Sequence, residues 1–394
     1  MNNHKRFSRN FILLLTILVA LNLFMAIILK SVFEHNSLSE IVSKQISSDS
    51  IYGSLLNNNE FEYSLSLISE IKPEVIALGS SRVLAFREEF FSKKFVGAGR
   101  AVTQIKEAEM VLSRINEMDR LPNLILFGLD FWWFQDDLAR RNVSSRHIQT
   151  NKDFAISKLR AILTQWVQEK INFTVLFEKI VFKSEMQAFR KHNGFTSMGL
   201  GPLYNFSGRR KDGSYFYGNI ITGDKEPLDF QFKNTLARII NGSDKFRYGS
   251  KLNEEAWADL MSFLKKADSM NIEVVLFFPP LASKVFNLIN SKSSDYEYIY
   301  VLTKRLENLG VFFNFHDSSI LKTNDCEFID GFHGGGVTYA RLLSYINERH
   351  FLPVSDDLNK YINLNMGNSL VRMNEIEISA NFNEIDFLGI GCHK

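Results

Sequence analysis

Three residues of this sequence have the types and the setting for nucleophilic catalysis: Ser81, Asp330 and His333. Ser81 lies in the stretch EVIALGSSRV, Glu74 to Val83, where an apolar run meets Gly79, Ser80, Ser81 and Arg82. A serine on a sharp turn after a strand can expose its hydroxyl, and nearby backbone N–H groups can hold a developing oxyanion. Gly79 permits the tight backbone. On these residues alone the competing reading is that Ser80 or Ser81 only caps the next turn. Asp330 and His333 stand three residues apart in the loop Phe328 to Gly336, which ends in Gly334-Gly335-Gly336. A serine nucleophile needs a base within hydrogen-bond reach, and the base needs a carboxylate to orient it. Asp-x-x-His supplies both from one loop. His316-Asp317 is a rival pair, but adjacent residues on a strand point to opposite faces, so His316 reads as structural.

The elements around these residues alternate. Val75 to Leu78 is a continuous apolar run, as expected of a strand covered on both faces. A helix is predicted over Val83 to Phe91, and a short strand over Lys94 to Val96 leads into Gly97-Ala98-Gly99. Ile105, Ala108, Val111, Leu112 and Ile115 have helical spacing within Thr103 to Met118, with Thr103 as N-cap. Leu124 to Leu129 reads as a third strand, ending in Asp130, Phe131, Trp132, Trp133 and Phe134. Aromatic rings at such a place can stack on sugars or belong to the core.

From 135 to 250 the rhythm is lost, and the chain is aromatic, basic and glycine-rich, with one helix predicted over Phe154 to Glu169. This reads as an insertion or lid. The rhythm resumes with a helix over Asn253 to Met270 and a strand over Ile272 to Phe278, closed by Pro279-Pro280. A helix over Tyr296 to Leu309, a strand over Val311 to Phe315 and a helix over Val337 to Arg349 follow. Such alternation predicts an α/β fold with a doubly wound parallel sheet, whose ligands bind at the carboxyl ends of the strands. Both serines, Asp130, Pro279-Pro280 and Asp317 fall at such ends. Residues 353–394 are Asn-rich and carry no clear assignment.

At the N-terminus, Lys5, Arg6 and Arg9 precede an apolar run from Phe11 to Leu29, broken only by Thr16 and Asn22. That length suits a transmembrane helix, and the small-residue pattern of a cleavage site is poor. The run reads as an uncleaved signal anchor, with a cleaved signal peptide as the alternative. The basic flank, 1–10, then stays in the cytoplasm and the rest lies in the periplasm or outside the cell. Residues 30–72 read as a stalk. The 394 residues carry 46 Lys plus Arg against 44 Asp plus Glu, a net charge of +2 that does not point to nucleic acid. Cys326 and Cys392 make no CxxC pair, which argues against a zinc or thioredoxin-type site. They are either one disulfide of an oxidising compartment or two separate thiols.

Taken together, the strand-ending Gly79-Ser80-Ser81 and the late Asp330-x-x-His333 resemble the SGNH (GDSL-type) hydrolase superfamily. Gly79-Ser80-Ser81-Arg82 and Phe277-Phe278-Pro279-Pro280 are similar to features of its membrane-anchored, cell-surface members. The resemblance covers about Glu74 to Phe134 and Asn253 to Arg349. It implies a flavodoxin-like sheet within 73–352, with the insertion 135–250 unmatched. It implies Ser81 as nucleophile, with its N–H in the oxyanion hole, His333 as base and Asp330 as partner. A glycine of the family's second block serves the oxyanion hole, which points to Gly97, with Gly99 as the other choice. The third block normally carries Asn as an oxyanion donor, and here Asp130 stands in its place. An ionised Asp only accepts hydrogen bonds, so it is expected to hold Arg82 or Arg100, or to orient substrate. Arg82, Arg100, Trp132 and Trp133 are the expected supports of loop or substrate.

The implied chemistry is O-acyl transfer to, or ester hydrolysis on, a surface or exported polysaccharide. It needs no metal and no cofactor. A transferase would also need a membrane partner to deliver the acyl group. The alternative is a catalytically degenerate member that binds glycan or assists export.

Overall fold

The computed structural model describes residues 2–48, 50–56, 60–136, 164, 196–205, 207–217 and 229–362. The helix expected over Phe154 to Glu169 and the chain beyond 362 lie outside the described residues. The strands among them are β1 (Ser50–Tyr52), β2 (Val75–Gly79), β3 (Phe95–Gly99), β4 (Leu124–Gly128), β5 (Thr196–Met198), β6 (Ser207–Arg209), β7 (Tyr215–Tyr217), β8 (Glu273–Phe278), β9 (Phe312–Asn314), β10 (Phe328–Asp330) and β11 (His333–Gly334). The chain divides into two units, Met1–Asn59 with Ile148–Gly208, and Glu60–His147 with Arg209–Lys394.

The second unit is an α/β body around a five-stranded sheet of order β3-β2-β4-β8-β9. All four pairings are parallel. Every residue of β2, β3 and β4 is buried, which is why these strands read as unbroken apolar runs. Side chains alternate between the two faces. Val75, Ala77, Leu124, Leu126, Val275 and Phe277 pack with Phe86, Phe90 and the helix Gly336–Asn347. On the other face Phe127 meets Phe263 of the helix Glu254–Ser269, ring centroids 4.9 Å apart. Burying a side chain of this size stabilises by roughly 1.5–3 kcal/mol.

The chain order reverses at β2. The next strand, β3, lies on one side of it and β4 on the other. In parallel sheets this opens a crevice at the carboxyl end of the strand at the switch. Ser81 follows that end.

Two local expectations change. No α-helix forms over Val83 to Phe91; the chain makes short 3₁₀ turns at Ser81–Ala85 and Glu88–Phe90. Phe86, between them, is extended and fully buried, and its burial in the core interrupts the helix. In the next helix, Ile105–Asn116, the N-cap position is Gln104 rather than Thr103. The Thr103 N–H and Oγ1 donate to Glu107 Oε2 at 2.6 and 2.8 Å. Asn253 does cap its helix, accepting from the Ala256 N–H at 2.8 Å.

The first unit begins with a helix over Asn2–Ser31. Within His4–Ser31 an 18-residue window has a mean hydropathy of 2.9, and the helix is long and apolar enough to cross a membrane. Its C-terminal end is built into structure, which corrects the stalk reading of 30–72. Leu29 and Val32 are buried with Leu200 and Leu203. The buried Glu34 accepts from the N–H groups of Leu55 and Leu200 at 3.1 and 2.7 Å, and from Ser54 Oγ at 2.6 Å. β1 pairs with β5 in parallel. The remainder of that span, helix Glu60–Ile71, belongs to the α/β body. The insertion is likewise divided between the units rather than standing apart.

Candidate active site

Gly79 ends β2 with φ +155°, a conformation L side chains rarely adopt. A Cβ there would lie 2.9 Å from the Gly128 carbonyl oxygen, so only glycine lets the strand end this close to β4. Ser80 then caps the turn, its Oγ accepting from the Arg82 N–H at 3.3 Å. Ser81 opens the turn, and its N–H has no acceptor among the described residues. Ser80 thus takes the capping role, and the Ser81 hydroxyl turns to His333 instead.

Ser81 Oγ lies 2.7 Å from His333 Nε2, across 252 residues of chain. On the other side of the ring, His333 Nδ1 lies 2.8 Å from Asp330 Oδ2 and 3.0 Å from Oδ1. Asp330 Oδ1 also accepts the backbone N–H groups of Phe332 and His333, at 3.0 and 2.8 Å. The antiparallel β10–β11 pair holds the loop closed, with Asp330 opposite His333. Burial disfavours the charged Asp330 carboxyl, but the His333 ring and these amides outweigh it and hold it below its ordinary value. An ionised Asp330 fixes the proton on Nδ1 and leaves Nε2 to accept from Ser81.

Beneath this array lies Arg82, 1% exposed. Its Nη1 pairs with Asp130 Oδ1 at 3.1 Å. Nη2 donates to the Pro279 and Pro280 carbonyls at 2.5 and 3.0 Å, and Nε to the Phe332 carbonyl at 3.1 Å. The Tyr339 hydroxyl donates to the Arg82 carbonyl. One guanidinium thus ties the carboxyl ends of β4 and β8 to the loop that carries His333. Asp130 is the acceptor for Arg82, not for Arg100, and its other oxygen has no partner among the described residues. Held this way, Asp130 donates nothing to an oxyanion.

Two further expectations are corrected. The Gly97 N–H donates to the Asp212 carbonyl at 2.7 Å, so it is taken up in the fold. The Arg209–Tyr217 segment turns hard against β3 there: Gly213 has φ +82°, and a Cβ on it would lie 2.2 Å from the Gly97 oxygen. Gly99, the other choice, stands beside the turn, where a Cβ would lie 3.1 Å from the Ser80 carbonyl and 2.4 Å from Leu84 Cδ2. Trp132 and Trp133 are each 4% exposed and offer no face to a sugar. Trp132 instead covers the Arg82 guanidinium, 5.4 Å from its ring centroid. His316 is buried and stacked on Phe278 at 4.3 Å, a core residue, and burial holds its pKa well down.

Several residues at the site escaped the sequence reading. Lys245 lies over the rings of Trp132 and Phe332, at 5.1 and 5.3 Å. Burial lowers its pKa, while the charges of Asp130 and Asp330 act the other way. Tyr215 and Tyr217 stand on β7, with the Arg100 guanidinium 5.3 Å from the Tyr215 ring centroid. Their signal was present, since alternation around the buried Phe216 puts both rings on one face. Arg100, which the sequence did single out as a support of loop or substrate, pairs with Glu60 Oε1 at 2.9 Å.

No group of three or more His, Cys, Asp or Glu suited to a metal occurs among the described residues. Cys326, which precedes the Asp330–His333 loop, is disulfide-bonded. No protein-family model matches the chain, and no curated protein matches it.

Proposed function

We propose that this protein is a membrane-anchored, SGNH-like serine hydrolase or acyltransferase acting on O-acyl esters of an exported or surface glycan. The observation that carries the reading is the chain of contacts Ser81 Oγ–His333 Nε2 at 2.7 Å and His333 Nδ1–Asp330 Oδ2 at 2.8 Å. The flavodoxin-like order of the five core strands, with the first strand at the switch point, supports the same fold assignment. His333 takes the Ser81 proton as Oγ adds to the acyl carbonyl. The Ser81 N–H steadies the oxyanion, and the departing alcohol takes the proton back from His333. The acyl-Ser81 ester is then attacked by water or a sugar hydroxyl, whose proton passes to His333 and from His333 to Ser81 Oγ as it leaves. Transfer to sugar requires that a membrane partner deliver the acyl group. The disulfide at Cys326 agrees with an oxidising, extracytoplasmic setting.

The test is aryl-acetate hydrolysis by the detergent-solubilised chain beside Ser81→Ala and His333→Ala. Loss of roughly 10³-fold or more in both variants is expected. Equal rates in all three overturn the reading. They would favour the competing one, a glycan-binding protein without chemistry, which the engagement of Asp130 with Arg82 supports by removing a usual oxyanion donor.

A further inference from the structure

We infer that Arg100, Tyr215 and Tyr217 form the wall of the site that receives the glycan, and that the glycan carries an anionic group. The inference rests on the proposed site and adds its substrate class. Register fixes the first point. Gly79 of β2 pairs with Gly99 of β3, so Arg100 follows directly beside Ser80, one residue from Ser81. Neighbouring strands lie roughly 4.8 Å apart. Arg100 has φ +63°, a left-handed conformation that costs a residue with a side chain about 1 kcal/mol. Strain of this kind collects at functional sites.

The guanidinium is half-open. Its side chain is 40% exposed, with Nη1 on Glu60 and the Tyr215 ring at 5.3 Å. No other partner engages it among the described residues, so donors remain for a ligand. Arg209, which shares Glu60 with it, is spent: it donates to the Gly99 and Gly213 carbonyls and is 3% exposed. Burial opposes charge on Glu60, but Arg209 and Arg100 hold its pKa down at about 2. The trio of two guanidiniums and one carboxylate therefore keeps a net charge of +1 at neutral pH, and the free donors belong to Arg100.

The tyrosines complete the wall. Tyr215 and Tyr217 lie 4.6 Å apart, tilted, on the outward face of β7. Tyr217 is close enough to both Arg100 and Asp330 for their charges to act on its hydroxyl, which burial keeps protonated. Tyrosine rings present an apolar face with a polar edge, which suits a pyranose. A guanidinium with free N–H groups suits a carboxylate or phosphate.

The test is binding, kept separate from catalysis. The full chain carrying Ser81→Ala, in detergent, is titrated by calorimetry with hexagalacturonate, with a phosphodiester-linked hexose oligomer and with neutral maltohexaose. At least one acidic oligomer is expected to bind tenfold or more tightly than the neutral one, and which one does identifies the anion. Arg100→Met should erase that preference, and Arg100→Lys should keep part of it. Tyr217→Leu should weaken acidic and neutral ligands alike. Equal affinity for all three oligomers, no binding of any, or a preference that survives Arg100→Met overturns the inference. The proposed chemistry fails separately, when Ser81→Ala leaves aryl-acetate hydrolysis unchanged.

Discussion

Arg82 and Arg100 occupy similar places and lead different lives. Each follows the carboxyl end of a core strand, β2 or β3, on either side of the same crevice. Arg82 points inward, is 1% exposed and spends its donors on Asp130, Pro279, Pro280 and Phe332. Arg100 keeps one ion pair, to Glu60, and lies against the Tyr215 ring with its side chain 40% exposed. The difference teaches where a guanidinium is scaffold and where it is equipment. A buried charge is tolerable only when fully paired, so Arg82 has no capacity left for a ligand. A half-exposed one can hold a geometry and still bind.

The comparison can be tested in order of effect. The largest change should come from the array both turns face. Asp330→Asn removes the carboxylate that fixes the His333 tautomer, and ester hydrolysis should fall by on the order of 10⁴-fold. Circular dichroism should show the fold intact. Arg82→Met comes next. It leaves Asp130 buried and uncompensated, which should cost about 3–5 kcal/mol in chemical unfolding of the solubilised chain. A loss below about 1 kcal/mol would show that the tie beneath the site is not what holds these strand ends together.

Glu60→Gln should be intermediate, about 2–3 kcal/mol, and dependent on pH. The folded-state pKa of Glu60, about 2, lies below its ordinary 4.5. Its contribution is therefore complete above the ordinary value and is lost as pH falls from there towards the folded value. Unfolding curves of wild type and Glu60→Gln should converge across that window. The smallest effect belongs to Arg100→Met, under about 1 kcal/mol, because water replaces what the side chain loses. Equal destabilisation by Arg82→Met and Arg100→Met would erase the distinction between the two turns.

Much of the candidate site was legible because its parts are local patterns. Gly79-Ser80-Ser81 marks a strand-to-turn corner wherever it folds, and Asp330-x-x-His333 fits in one short loop. The buried strands were legible because a sheet covered on both faces demands continuous apolar runs. Other features depended on partners far along the chain. Gly97 looked free because nothing near it in sequence consumes its N–H, and the consumer is Asp212. Trp132 and Trp133 stayed open between sugar stacking and core because sequence does not reveal what covers a ring. The helix expected over Val83 to Phe91 has suitable residues, yet the core takes Phe86 in an extended conformation and breaks it.

By itself, then, the sequence determined the apolar N-terminal helix, the alternating strands and helices, and residue types suited to a nucleophile, a base and an orienting acid. These follow from composition and spacing over a few turns of chain. Only the tertiary structure decided that Ser81 meets His333 across 252 residues, that Asp130 belongs to Arg82, and that Arg100 stays open beside Tyr215 and Tyr217. Each of those outcomes is a competition for hydrogen bonds and burial among residues distant in sequence, and only the packed sheet brings the competitors together.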